Sequence, residues 1–171
     1  MILRPAPSEH NPYFSRYIDL VPEGEFLGLL RDTWAEAQAY FQALPPERHD
    51  YRYAPGKWSV KEVLMHLIDT ERIMAFRAFV AGRGDQQMVL SSMDENFYAS
   101  RTEVSGRSMA SLLEEFSAVR QATLQLFAHL SEADSQTVVQ CAGFPATARA
   151  MGYVIAGHVL HHLRILRERY A

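Results

Sequence analysis

The sequence predicts an all-α fold, in which a bundle of four long helices follows an irregular N-terminal arm over residues 1–21. Four segments carry apolar side chains at three- and four-residue spacing, which is the period of one helix face. No segment alternates convincingly between apolar and polar residues, as a half-buried strand would. The chain has 171 residues, of which 48% are hydrophobic. Since this is enough to bury one core, residues 1–171 are interpreted as a single domain.

Capping and helix-breaking residues set the limits of the helices. Proline is tolerated in a first turn, so Pro22 can begin the first helix, and Pro45 and Pro46 end it. The segment Ser59–Glu62 fits a capping box, in which a Ser and a Glu side chain satisfy free backbone donors. The predicted helices cover, in order, residues 22–44, 59–82, 108 or 111–130, and 147–171.

Charge and composition exclude several classes of partner. The chain carries 17 basic and 20 acidic residues, for a net charge of −3, and the basic residues are scattered. A nucleic acid or an anionic membrane surface is therefore not expected as a partner. The uncharged stretch 150–163 has 14 residues, fewer than the roughly 20 that a membrane span needs. With no signal-peptide pattern at the start, the sequence predicts a soluble, cytoplasmic protein.

The single cysteine, Cys141, excludes an internal disulfide and a thiolate zinc site. It is interpreted as an ordinary thiol in a loop. Metal ligands must therefore be sought among the histidines and the carboxylates.

Three of the seven histidines, His158, His161 and His162, lie within five residues. Side chains four apart project from the same helix face, so His158 and His162 can hold one metal ion. A zinc peptidase of the His-Glu-x-x-His type is disfavoured because Val159 stands in place of the glutamate. A di-iron bundle is excluded, since no Glu is followed by His three residues later.

His66 is the other histidine in the middle of an amphipathic stripe, and its axial position matches the pair. It lies about 10 Å along the second predicted helix, while His158 and His162 lie about 16 to 22 Å along the fourth. Antiparallel packing of helices about 33 Å long brings the three histidines to one level. The second and third helices must then run in the same direction, joined by the 24 residues 84–107.

The sequence thus predicts an up-down-down-up four-helix bundle with a long crossover between helices 2 and 3. Its metal site would consist of His66, His158 and His162. The alternative is that these are ordinary histidines satisfied by hydrogen bonds. His161 points about 60° away from the pair and is expected beside the site or exposed. His10, His49 and His129 lie near predicted element ends, where solvated positions are expected.

Three segments together resemble the DinB/YfiT-like superfamily, which is unrelated to the DNA polymerase of similar name. They are Pro55–Leu67 (PGKWSVKEVLMHL), Asp69–Arg72 (DTER) and Gly157–His162 (GHVLHH). The resemblance implies an up-down-down-up bundle, often a homodimer, with a divalent metal held by the three histidines. Characterised members include transferases that use low-molecular-weight thiols such as bacillithiol, and a mycothiol-dependent maleylpyruvate isomerase. Some members carry Glu at the position of Val159, so this chain lacks a side chain that could transfer a proton at that position.

Three neutral histidines leave open positions on a divalent ion, which is typical of a catalytic site. The expected function is thiol (S-) transfer or hydrolysis on a small molecule, with a water or a thiol activated by the metal. Zinc or nickel is favoured, with iron or manganese as alternatives. The rival hypotheses are a non-catalytic, metal-binding or stress-related helical dimer and a metal-free dimerisation module.

No residue is assigned a catalytic role from the sequence. Glu62 could orient a ligand, although its capping role explains it equally well. Asp69 and Glu71 are expected to be solvated or paired with Arg72 or Arg77. The segment 96–98 in the crossover could line a cleft or cover the bundle.

Overall fold

The computed structural model describes residues 2–170 of the chain. Residue 1, the start of the predicted arm, and residue 171, the end of the fourth predicted helix, lie outside the described residues. The four long helices are α2 (Phe26–Ala43), α3 (Val60–Gly82), α5 (Met109–Ala128) and α7 (Ala148–Arg169). The short helices are α1 (Ser15–Ile18), α4 (Glu95–Arg101) and α6 (Glu132–Ser135). Strands β1 (Val139–Cys141) and β2 (Phe144–Ala146) form an antiparallel hairpin, and 3₁₀ turns span Pro7–Glu9, Pro12–Phe14 and Pro46–Arg48.

Three of the four bundle helices begin at residues predicted to cap them. Ser59 and Glu62 form the capping box of α3, Ser108 caps α5, and Thr147 caps α7. The predicted start of the first helix near Pro22 is wrong. Helix α2 starts at Phe26, because the Glu25 side chain accepts hydrogen bonds from the first free amides of the helix.

The predicted up-down-down-up topology is confirmed by contacts between helix ends. The Tyr170 hydroxyl donates to the Trp58 carbonyl at 2.8 Å, which places the end of α7 beside the start of α3. These two helices are therefore antiparallel. Lys61 Nζ donates to the Arg107 carbonyl at 3.2 Å, which places the starts of α3 and α5 together. Helices α3 and α5 therefore run in parallel, joined by the predicted crossover, and α2 packs against α5 and α7.

A buried ion pair lies among the packed helices. Arg120 of α5 binds both carboxylate oxygens of Glu71 of α3 at 2.7 Å, and it also donates to the Leu30 carbonyl of α2. Both side chains are almost completely buried. The expectation that Glu71 is solvated or paired with a neighbour on its own helix is therefore wrong. Since α3 packs against both α5 and α7, few of its positions face solvent.

The N-terminal arm is more regular than predicted, because it forms two 3₁₀ turns and α1. Helix α1 packs against α7 at Gly157, where an added Cβ would lie 2.0 Å from the Tyr17 carbonyl oxygen. Only glycine allows this approach. The arm therefore covers the middle of α7, next to His158.

The hairpin was not predicted, and it changes the interpretation of Cys141. Its two strands have three residues each, too few to show an alternating pattern, and the turn uses positive φ at Ala142 (51°) and Gly143 (83°). Cys141 lies in β1, bridged to Leu90 of the crossover, and is buried rather than in a loop. Burial raises the pKa of its thiol. Within residues 2–170, every helix is too short or too polar to cross a membrane.

Candidate metal centre

Helices α3 and α7 bring His66, His158 and His162 together in the interior of the bundle. The Nε2 atom of His158 lies 3.0 Å from that of His66 and 3.1 Å from that of His162. All three ligand atoms lie within 4.8 Å of one another. His66 is in the second turn of α3, and the other two are one turn apart in the middle of α7. The antiparallel packing of these helices thus produces the level arrangement expected from the axial positions.

Hydrogen bonds among the three histidines do not satisfy all of the facing Nε2 atoms. A neutral imidazole nitrogen either donates one hydrogen bond or accepts one. The Nε2 atom of His158 therefore pairs well with only one of its two Nε2 neighbours. Nitrogens about 2.0 to 2.1 Å from a tetrahedral zinc ion lie about 3.3 Å apart, close to the two distances measured from the His158 nitrogen. The three side chains therefore fit one divalent ion.

Burial keeps these imidazoles in the neutral form that binds metal. It lowers the pKa of His66 to about 4, with a smaller effect of His161. Burial, followed by the neighbouring histidines, lowers the pKa of His158 and His162 well below the usual value of 6.5. All three side chains are uncharged at neutral pH.

Aromatic side chains hold the rings of the cluster in place. The Trp58 ring packs on His66 with centroids 4.7 Å apart. The Tyr17 ring lies edge-on to both His158 and His161, with centroids 5.2 Å away in each case. His161 is thus half-buried beside the cluster, as predicted, and its packing partner comes from the N-terminal arm.

The remaining histidines lie away from the cluster. His129 is exposed, and His49 is partly buried near the Leu44 carbonyl. His10 is only 4% exposed, and its Nδ1 atom lies 2.9 Å from the Asn11 carbonyl. The prediction that His10 is solvated is therefore wrong. The arm folds back on the bundle and covers it.

A cavity of about 510 Å³ opens beside His66 and His158. Its walls come from α3, α7, the arm, the crossover and the hairpin. Three polar residues of this wall were not predicted from the sequence, namely Tyr17, Thr70 and Arg77. A signal for two of them was present, because Thr70 and Arg77 share the apolar stripe of His66 at helical spacing.

The carboxylates of Glu62 and Asp69 both have arginine partners. Glu62 accepts a hydrogen bond from the Ser59 amide at 2.6 Å and pairs with Arg52, so it caps α3. Asp69 lies 3.5 Å from Arg72. The segment 96–98 belongs to α4 and lies outside the large cavity. Tyr98 borders a second, small pocket, whose walls also include Glu62, His66 and Asp69.

The fold and the cluster define a four-helix-bundle protein with a buried three-histidine centre. The DinB superfamily matches residues 29–166, and the chain belongs to this superfamily. A solved structure, YfiT from Bacillus subtilis, is 15% identical in sequence and superposes with a TM-score of 0.73 over 98% of this chain and 91% of that chain. YfiT is described as a probable metal-dependent hydrolase with an unusual four-helix bundle topology. The chain matches no protein of curated function.

Proposed function

We propose that the protein is a divalent-metal-dependent enzyme that acts on a small molecule. His66, His158 and His162 would hold the metal. One observation carries this proposal: the imidazole nitrogens of three buried or half-buried histidines converge, and two of these histidines, His66 and His158, line a cavity of about 510 Å³. A purely structural ion needs no such cavity, because structural sites are usually closed by four protein ligands.

The reaction we propose is hydrolysis or thiol (S-) transfer. With three protein ligands, a divalent ion keeps an open position and supplies an activated water or thiol nucleophile at neutral pH. The protein's own contribution is to keep the imidazoles neutral by burial and to fix their rings with Trp58 and Tyr17. The description of YfiT supports hydrolysis, and the family resemblance supports S-transfer.

Imidazole ligands favour zinc or nickel over iron or manganese as the resident ion. A low-molecular-weight thiol co-substrate, a homodimer and a cytoplasmic location remain predictions from the sequence.

Metal analysis by inductively coupled plasma mass spectrometry tests the site, using protein purified without an affinity tag. About one divalent ion per chain is expected. The ion should be lost in His158→Ala/His162→Ala and kept in His129→Ala, a control in which the histidine is exposed. No metal uptake by the wild-type chain on titration would overturn the proposal.

Activity assays on the loaded protein separate the two reactions. Metal-dependent release of p-nitrophenol from p-nitrophenyl acetate would support hydrolysis. Metal-dependent conjugation of bacillithiol to monochlorobimane would support S-transfer. A loaded protein that does neither, but unfolds at a much lower temperature once the metal is removed, would favour the non-catalytic alternative.

A further inference from the structure

Arg77 is a buried cation without a carboxylate partner. Its side chain lies in α3, and the residue is only 4% exposed. Its Nη2 atom donates to the Ser91 carbonyl at 2.6 Å, and its Nη1 atom lies 3.5 Å from Met74 Sδ. Among residues 2–170, no carboxylate oxygen lies within 4.0 Å of its guanidinium.

The other buried arginine among the described residues has a carboxylate partner. Arg120 is fully buried, and Glu71 binds its guanidinium through two oxygens. Arg77 has only two contacts with described acceptors, so three of its five N–H groups have none. A buried charge is strongly disfavoured without a counter-charge. Because Arg77 lines an open cavity, its unpaired N–H groups can donate to an anion that enters from outside the protein.

Arg77 and the histidine cluster line the same cavity. Arg77 follows His66 by 11 residues on one helix, so their Cα atoms lie about 16 Å apart along the axis. Helical side chains lean toward the N-terminus, which directs the long Arg77 side chain toward His66. Thr70 lies between them, and its buried hydroxyl has no hydrogen-bond partner among the described residues.

The wall between these polar ends is mainly apolar. It includes Phe14, Met74, Phe144, Met151 and Val154. This surface suits a hydrocarbon or aromatic body rather than a sugar or a nucleotide.

The buried part of the cavity wall carries one positive charge, that of Arg77. Arg77 is the one arginine or lysine among the described residues that line the cavity. Asp94 and Glu95 also line it, but both are exposed, and the Asp94 carboxylate accepts hydrogen bonds from two amides at the start of α4. A carboxylate carries one charge and binds the planar guanidinium through two parallel hydrogen bonds.

We infer that Arg77 binds the carboxylate of the substrate, and that the substrate is an elongated, mainly apolar monocarboxylate. Its reactive group would lie at the other end of the cavity, beside His66 and His158. The position of the reactive group rests on the proposed function, whereas binding of the carboxylate by Arg77 does not.

Titration calorimetry with octanoate and octanamide tests the inference, because the two probes share a chain and differ in charge. Octanoate should bind the wild-type protein at least about tenfold more tightly than octanamide. Arg77→Met should remove this preference and leave the octanamide affinity unchanged, which also shows that the cavity remains folded. Arg77→Lys should keep part of this preference. Arg83→Met, a control at an exposed arginine just after α3, should keep all of it.

Equal binding of the two probes by the wild-type protein, or binding of neither, would overturn the inference. So would an unchanged preference in Arg77→Met. The titrations are run with zinc-loaded protein and after treatment with a chelator. A preference for octanoate that requires zinc and persists in Arg77→Met would place the carboxylate at the histidines. This result would overturn the inference and support the metal site. A preference that depends on Arg77, in a protein that takes up no metal, supports the inference while the proposed function fails.

Discussion

Arg120→Met tests whether the buried ion pair fixes the helix that carries His66. The Arg120 guanidinium binds both oxygens of Glu71 and also donates to the Leu30 carbonyl, so it links α5 to α3 and α2. The substitution replaces the arginine by an unbranched apolar side chain, which leaves the Glu71 carboxylate buried and unpaired. Removing one partner of a buried pair costs about 3 to 5 kcal/mol. This is a large part of the roughly 5 to 15 kcal/mol that stabilises an ordinary domain.

Urea denaturation followed by circular dichroism measures this loss in the free energy of unfolding. The double variant Glu71→Met/Arg120→Met should recover most of the stability, because an apolar replacement of the whole pair is often neutral. Arg72→Met is the matched control. Arg72 pairs with Glu115 between the same two helices, but its side chain is 46% exposed, so the control should lose less than about 1 kcal/mol.

Two results would refute this reasoning. The first is a loss in Arg120→Met no larger than that in Arg72→Met, since burial would then carry no penalty. The second is a double variant that is less stable than Arg120→Met, since the cost would then come from lost packing rather than from the unpaired carboxylate.

Three further predictions concern the arm and the hairpin. Gly157→Ala should cost about 1 to 3 kcal/mol in urea denaturation, because the new Cβ would meet the Tyr17 carbonyl; an unchanged stability would contradict this close contact. Burial raises the pKa of Glu9, but hydrogen bonds led by that from Arg149 outweigh it and hold the pKa below the usual 4.5. The stability that Glu9 adds is therefore complete above pH 4.5 and is lost as the pH falls through the lowered pKa, so Glu9→Gln should lower the melting temperature at neutral pH and progressively less in acid. The Cys141 thiol should react with iodoacetamide at least about tenfold more slowly in the folded protein than in urea, and equal rates would show that it is accessible.

The sequence predicts those parts of the fold that local interactions decide. The side chains of Ser59, Ser108 and Thr147 cap helices by accepting hydrogen bonds from amides three residues away, so a short segment contains the whole signal. The positions of His66 and His158 along their helices follow from a fixed rise per residue. The parallel direction of α3 and α5 could then be inferred from the need to bring the histidines level.

The parts that were missed depend on contacts between distant segments. The short hairpin is paired through Cys141 to Leu90 of the crossover, so neither segment predicts it alone. Burial of His10 depends on the arm folding back over the bundle. The role of Arg77 was not predicted, because the cavity that it lines forms only when five separate segments meet.

The up-down-down-up order itself builds the cavity. With α3 and α5 parallel, the chain must return along the length of the bundle, and residues 83–108 make this crossover. On its way the crossover supplies the Ser91 carbonyl to Arg77 and pairs Leu90 with the hairpin. An up-down-up-down bundle would join its helices by short turns and would also place the histidines of α3 and α7 at different levels. The same topology therefore brings the three imidazoles together and encloses the space in which a substrate would meet them.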